Sequence, residues 1–96
     1  LLHYEFHGMD PSDWTESFLD DELSPLLPVA PPQAHLRLKV ERHNDGLEGK
    51  LVIYSKGGAF VVEDQSGDIT SLVKSLKKKM KSKLHKWKEA HYDHGR

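Results

Sequence analysis

Eight lysines stand between Lys74 and Lys88 in a 96-residue chain, the densest concentration of one chemistry in the sequence. Lysine acts as a point charge that neutralises phosphates by long-range, salt-sensitive attraction. It lacks the fork of arginine, so its contacts follow the shape of a backbone more than the identity of a base. Charge is strongly polarised along the chain. Residues 1–68 carry five basic and thirteen acidic side chains, a net of −8, and residues 69–96 carry nine and two, a net of +7. Such asymmetry fits a polyanionic partner at one face, and it also fits a solvated helix face that offsets acidic elements elsewhere.

Other residue types support less chemistry. Seven histidines invite a metal reading. His3 and His7 are four apart on a candidate strand, about 13 Å by strand rise, which is too far for one ion. His91 and His94 fall in a tail, about 89–96, that is expected to fray. No three or four ligands have zinc spacing, so no metal and no cofactor is expected, and exposed histidines simply add positive charge once protonated. Ser12, Ser17 and Ser24 lack a plausible base and a group to orient it. Asp20-Asp21-Glu22 suggests paired carboxylates, but consecutive helical positions do not converge on one point. Neither a G-x-x-x-x-G-K-[ST] loop nor a G-x-G-x-x-G turn is present. Gly57-Gly58 beside Lys56 reads as a hairpin turn rather than a phosphate cradle. With no cysteine there is no disulfide, thiolate metal site or cysteine nucleophile. The expectation is a binding protein, not an enzyme, with no small-molecule substrate.

The elements that must position the lysines follow from periodicity. From Asp68 to Lys88, the residues Ile69, Leu72, Val73, Leu76, Met80, Leu84 and Trp87 recur at helical spacing as one apolar stripe. Lys74, Lys77, Lys78, Lys81 and Lys88 line the opposite side, with Lys79, Lys83 and Lys86 on the flanks. Asp68 is a natural N-cap. Trp87 either closes the stripe or stacks on a base.

Upstream, Leu1 to His7 alternates as a half-buried strand. Asp10-Pro11-Ser12-Asp13 is a helix start with Asp10 as N-cap and Pro11 at the first helical position. Trp14, Phe18, Leu19 and Leu23 follow at helical spacing, and Pro25 stops the helix near Ser24. This helix carries Asp13, Glu16, Asp20, Asp21 and Glu22 and no basic residue. After an extended connector, 26–32, the segments 36–41, 51–54 and 59–62 read as strands. They are separated by the turns His43-Asn44-Asp45-Gly46 and Gly57-Gly58, and 64–67 leads into the basic helix. The fold class is α+β, β-α-β-β-β-α: a four-stranded sheet with two helices packed on one face. The expected core includes Tyr4, Phe6, Trp14, Phe18, Leu38, Ile53, Phe60, Leu72, Leu76 and Leu84. Residues 1–96 make one domain, and a chain of this size buries roughly 60–65% of its unfolded surface. No apolar run approaches the length of a membrane span, no signal peptide is evident, and a cytoplasmic location is expected.

Taken together, the element order, the hairpin Tyr54-Ser55-Lys56-Gly57-Gly58-Ala59-Phe60 and the helix entry Gly67-Asp68-Ile69 before Leu72-Val73 and Leu76-Lys77-Lys78 resemble the short ribosome hibernation-promoting factors. That family is also called protein Y or sigma-54 modulation protein. The resemblance implies a fold similar to a double-stranded-RNA-binding domain. It also implies binding to the small ribosomal subunit, in the channel of messenger and transfer RNA, and stalled translation in resting cells. By position, Lys74, Lys77, Lys78, Lys81, Lys83 and Lys86 would face ribosomal RNA, with Arg37 and Lys39 of the second strand adding to that surface. The chain would be a monomer when free, since the second domain through which long members dimerise has no counterpart here. Three places depart from the family pattern. Asp20-Asp21-Glu22 stands where family members carry lysines, Thr70 stands where they carry an aromatic residue, and Pro25 ends the first helix early. Two other readings of the residues remain: a general nucleic-acid-binding domain, and an interaction module whose lysine helix docks on an acidic partner such as another copy's first helix.

Overall fold

The computed structural model of the chain describes residues 2–93, with side chains described as far as residue 90. The elements are β1 (Leu2–His7), α1 (Asp13–Leu23), a 3-10 turn (Ser24–Leu26), β2 (His35–His43), β3 (Gly46–Ser55), β4 (Gly58–Ser66) and α2 (Ile69–Asp93). The sheet order is β1-β2-β3-β4. Strands β2, β3 and β4 are antiparallel neighbours joined by two-residue turns. Glycine is required just after each turn: Gly46 has φ 144° and Gly58 φ 123°, values L-residues rarely adopt. Strand β1 pairs parallel to β2 with Leu2 opposite Leu36 and Phe6 opposite Val40. A parallel pair needs a crossover, which α1 and the 24–32 connector supply.

Alternation along the strands divides the sheet into two faces. Leu36, Leu38 and Val40 of β2, Leu47, Leu51 and Ile53 of β3 and Val62 of β4 are buried on one face. Leu19 and Leu23 of α1, Leu26, and Leu72, Val73, Leu76, Met80 and Leu84 of α2 complete the same core. Both helices therefore cover one face of the sheet, α1 beside β1 and β2, α2 over β3 and β4. A side chain at Gly49 would place its Cβ 2.9 Å from Leu76 Cδ1 and 3.0 Å from Leu72 Cδ2, so glycine there lets α2 sit close on the sheet.

The structure corrects several expectations. Helix α1 is capped by Ser12, not Asp10. Ser12 is extended (φ −83°, ψ 168°) and its hydroxyl accepts from the Thr15 amide at 3.2 Å, which starts the helix at Asp13 and turns Thr15, Leu19 and Leu23 inward. Trp14 is not core. It is 62% exposed because it lies well around the helix from that buried line, and it stacks on Phe18 with ring centroids 5.3 Å apart. Tyr4, Phe6, Phe18 and Phe60 rim the core half-buried. Strands β3 and β4 are longer than 51–54 and 59–62, because 46–50 and 63–66 pair with each other in register from Leu47·Ser66 to Lys50·Glu63. The segment 64–67 is thus mostly strand. Pro25 ends the α-helix as expected and is absorbed in the 3-10 turn. Helix α2 continues past Lys88 through Asp93, and the rest of the tail expected to fray, His94 included, lies outside the described residues, as does the His91 side chain.

Candidate nucleic-acid interface

The lysines reach the surface because the α2 stripe is buried. Asp68 caps the helix as expected, accepting from the Ser71 amide at 2.8 Å and from its hydroxyl at 3.1 Å. Leu72, Val73, Leu76, Met80 and Leu84 then face the sheet and are at most 2% exposed. Lys74, Lys78 and Lys81 project from the opposite side and are exposed. Among the described residues they form no ion pair or hydrogen bond. His85 continues the line, with Nε2 3.3 Å from Glu89. Three like charges in so short a span are unfavourable in isolation, and a polyanion laid along the helix removes that repulsion.

The other lysines behave differently, and Lys77, expected on the outward side, is turned instead toward α1. Lys77 is half-buried between the helices, its ammonium 3.7 Å from Glu22 of α1. Lys83 donates to the Val61 carbonyl at 2.7 Å, and Lys79 donates to the Glu63 carbonyl at 2.9 Å while lying 3.4 Å from Asp64. Both carbonyls belong to β4, an outer strand of the sheet. Occupied in this way, they are withdrawn from pairing with another chain's strand. Asp64 also accepts from Ser75 of α2. That hydrogen bond first, then the Gln65 amide and the Lys79 ammonium, holds its carboxyl below the usual carboxylate range. Lys86 is exposed. Of the six helix lysines expected at the interface, then, Lys74, Lys78, Lys81 and Lys86 have no ion-pair or hydrogen-bond partner among the described residues, and Lys77 and Lys83 are engaged within the fold.

Arg37 and Lys39 do not join this surface. Strand alternation turns Leu36, Leu38 and Val40 toward the helices, so the residues between them point to the opposite, open face of the sheet. There Arg37 lies 3.6 Å from Glu5 and Lys39 lies 3.2 Å from Glu41. The open face also carries His3, His7, His35 and His43 and is charge-mixed. Glu5 is held low in pKa first by its hydrogen bond to His7. The acidic residues of α1 lie beside α2 on the helix side. Asp20 accepts from the Tyr4 hydroxyl at 2.6 Å, and burial, then this bond, raises that hydroxyl above the usual phenol range. Trp87 is half-buried, edge-on to Phe60 with centroids 6.3 Å apart, and a Cβ at Gly57 would meet its ring. It closes the core stripe. The sequence pattern did not reveal the lysine contacts to β4, because flank position alone does not say which backbone lies beneath.

No protein-family profile matches the chain. No curated protein matches its sequence either. Solved structures do match its fold, and they define its class: a β-α-β-β-β-α domain with two helices on one face of a mixed sheet. The N-terminal domain of Protein Y from Thermus thermophilus superposes with a TM-score of 0.78 over 88% of this chain and 94% of that one, at 9% identity. A ribosomal subunit interface protein from Coxiella burnetii superposes with a TM-score of 0.74 over 91% of this chain and 98% of that one, at 16% identity. The likeness is one of fold, and it agrees with the element order that the sequence resemblance implied. No helix among the described residues is long and apolar enough to cross a membrane.

Proposed function

We propose that the chain is a ribosome-associated factor that binds small-subunit rRNA through the outward face of α2 and inhibits translation. The observation that carries this reading is the exposed row Lys74, Lys78 and Lys81 on a helix whose other side is fully buried, within a fold shared with a ribosomal subunit interface protein. Because these are lysines on a rigid helix, they would track phosphates along a groove without reading bases. Lys86 extends the contact on one flank. Arg37 and Lys39 belong to a separate surface and are not assigned to this interface. The protein acts by occupancy and not by catalysis, needs no cofactor, is a monomer when free, and works in the cytoplasm, where its target is.

Sedimentation of the tagged protein with separated ribosomal subunits in a sucrose gradient tests this. Co-migration with the small subunit is the expected result. Binding to any duplex RNA with equal affinity and no subunit preference would make it a general nucleic-acid-binding domain. Absence from both subunits and from RNA would leave the lysine row as a site for an acidic protein.

A further inference from the structure

The turn end of the open sheet face holds a cluster that the rRNA reading does not use. Glu41 and His43 follow each other on one side of β2, and Glu48 of β3 stands directly opposite Glu41 in the antiparallel register. One ligand atom from each of the three lies within 4.8 Å of the others. His43 Nε2 and Glu48 Oε1 are already 3.2 Å apart. Two ligands of a tetrahedral ion with bonds of about 2.1 Å stand about 3.4 Å apart, so this pair needs almost no movement. Glu41 must swing inward to join them, and its side chain is only half-buried and so can move. Directly opposed like charges on neighbouring strands are destabilising, and Glu41 against Glu48 is such a pair. A dication between them removes that repulsion.

We propose that Glu41, His43 and Glu48 form a site for a divalent transition-metal ion that ties β2 to β3 beside the Asn44-Asp45 turn. One imidazole and two carboxylates suit zinc, nickel or copper, whereas magnesium and calcium favour all-oxygen sets. The three ligands come from two rigid, adjacent strands, which fixes their spacing. Lys39 competes for the site, since its ammonium now lies 3.2 Å from Glu41. His7 of β1, opposite Glu41 in the parallel register and now paired with Glu5, is a further imidazole on the same face. The site lies on the face opposite the lysine row and stands whether or not the chain binds RNA.

The test is calorimetric titration of the full chain with zinc chloride. One saturable site per chain is expected. His43→Gln and Glu48→Gln should each weaken it by at least about tenfold, the lower end of what losing even an outer partner of a metal ligand costs. Lys39→Gln should tighten it, because the competing ammonium is gone. All three positions are exposed, so the variants should fold as the parent does, which circular dichroism checks. In parallel, sub-stoichiometric copper(II), a paramagnetic ion that suits this donor set, should broaden the amide resonances of residues 41–48 first. Absence of saturable zinc uptake overturns the proposal. So does uptake undiminished in both variants, or broadening centred on the C-terminal histidines, since the ion would then be held elsewhere.

Discussion

Helices α1 and α2 lie side by side on one sheet face, yet they differ on every side that does not touch it. Inward they are alike: Leu19 and Leu23 of α1 and Leu72, Leu76 and Met80 of α2 are all fully buried. Outward, α1 shows Asp13, Glu16 and Asp21, whereas α2 shows Lys74, Lys78 and Lys81. The fold constrains the inner face of each helix through close packing, where loss of a few methyl groups is felt. It leaves the outer faces to other demands. The one ion pair between the helices among the described residues, Glu22 to Lys77, sits at their seam and uses a lysine outside the exposed row Lys74, Lys78 and Lys81.

The largest expected effect tests the shared half of this comparison. Leu19→Ala and Leu76→Ala should each cost about 2–5 kcal/mol in urea denaturation, since both side chains are fully buried. A loss below about 1 kcal/mol for one of them would mean that its helix is not held as its partner is. Gly49→Ala should follow at about 1–3 kcal/mol, the usual cost of overpacking, because its Cβ would press first on Leu72 and Leu76 of α2.

The next predictions concern the outer faces. Replacing Lys74, Lys78 and Lys81 with glutamine should leave stability within about 0.5 kcal/mol. RNA affinity should fall, and its logarithmic salt slope should shrink by about 2–3 units, at 0.7–0.9 per phosphate contact. If the triple variant binds small subunits with an unchanged salt slope, α2 and α1 differ in charge without differing in role. Glu16→Lys and Asp21→Lys on α1 should tighten binding by less than the triple variant loses. Asp20 and Glu22 are poor choices for that experiment, since they hold Tyr4 and Lys77. Weaker binding after reversal would place α1 against a basic ribosomal protein.

The smallest effect is in acid. Asp64 has a folded-state pKa below its unfolded value, so it contributes stability above the unfolded pKa, near 3.9 for an aspartate. That contribution is lost as pH falls through the folded value. Asp64→Asn should therefore lower the neutral plateau slightly and flatten the low-pH limb of the stability curve. An unchanged acid limb would show that the Ser75 and Lys79 contacts do not bias this carboxyl.

Local periodicity carried most of the fold. The stripe from Ile69 to Trp87, the cap at Asp68, the alternation in β2 and the glycine-bearing turns each specify their element through neighbours within a few residues. The failures also have local causes. Ser12 and Asp10 are equally good caps, and only the burial of Thr15, Leu19 and Leu23 chooses between them. In 63–66 no apolar residue stands, and in 46–50 Leu47 is parted from Leu51 by Gly49 and two charged residues, so only the register shows that these ends pair. Arg37 and Lys39 join the helix lysines only in what the family resemblance implies; strand alternation assigns them a shared face without saying which face the helices cover, and the structure puts them on the open one.

By itself, then, the sequence determined the order and type of the elements, the buried stripe of each helix and the polarity of charge between α1 and α2. These depend on side-chain periodicity, a property of a few consecutive residues. Only the tertiary structure decided which lysines remain free. Lys79 and Lys83 are spent on β4 carbonyls and Lys77 on the seam with α1, partners 55, 22 and 16 residues away from Lys77, Lys83 and Lys79 respectively. Likewise it alone brought Glu41, His43 and Glu48 together across two strands. Contacts of that kind depend on register and on the seating of a helix over a sheet, and neither is written in the spacing of residues along one element.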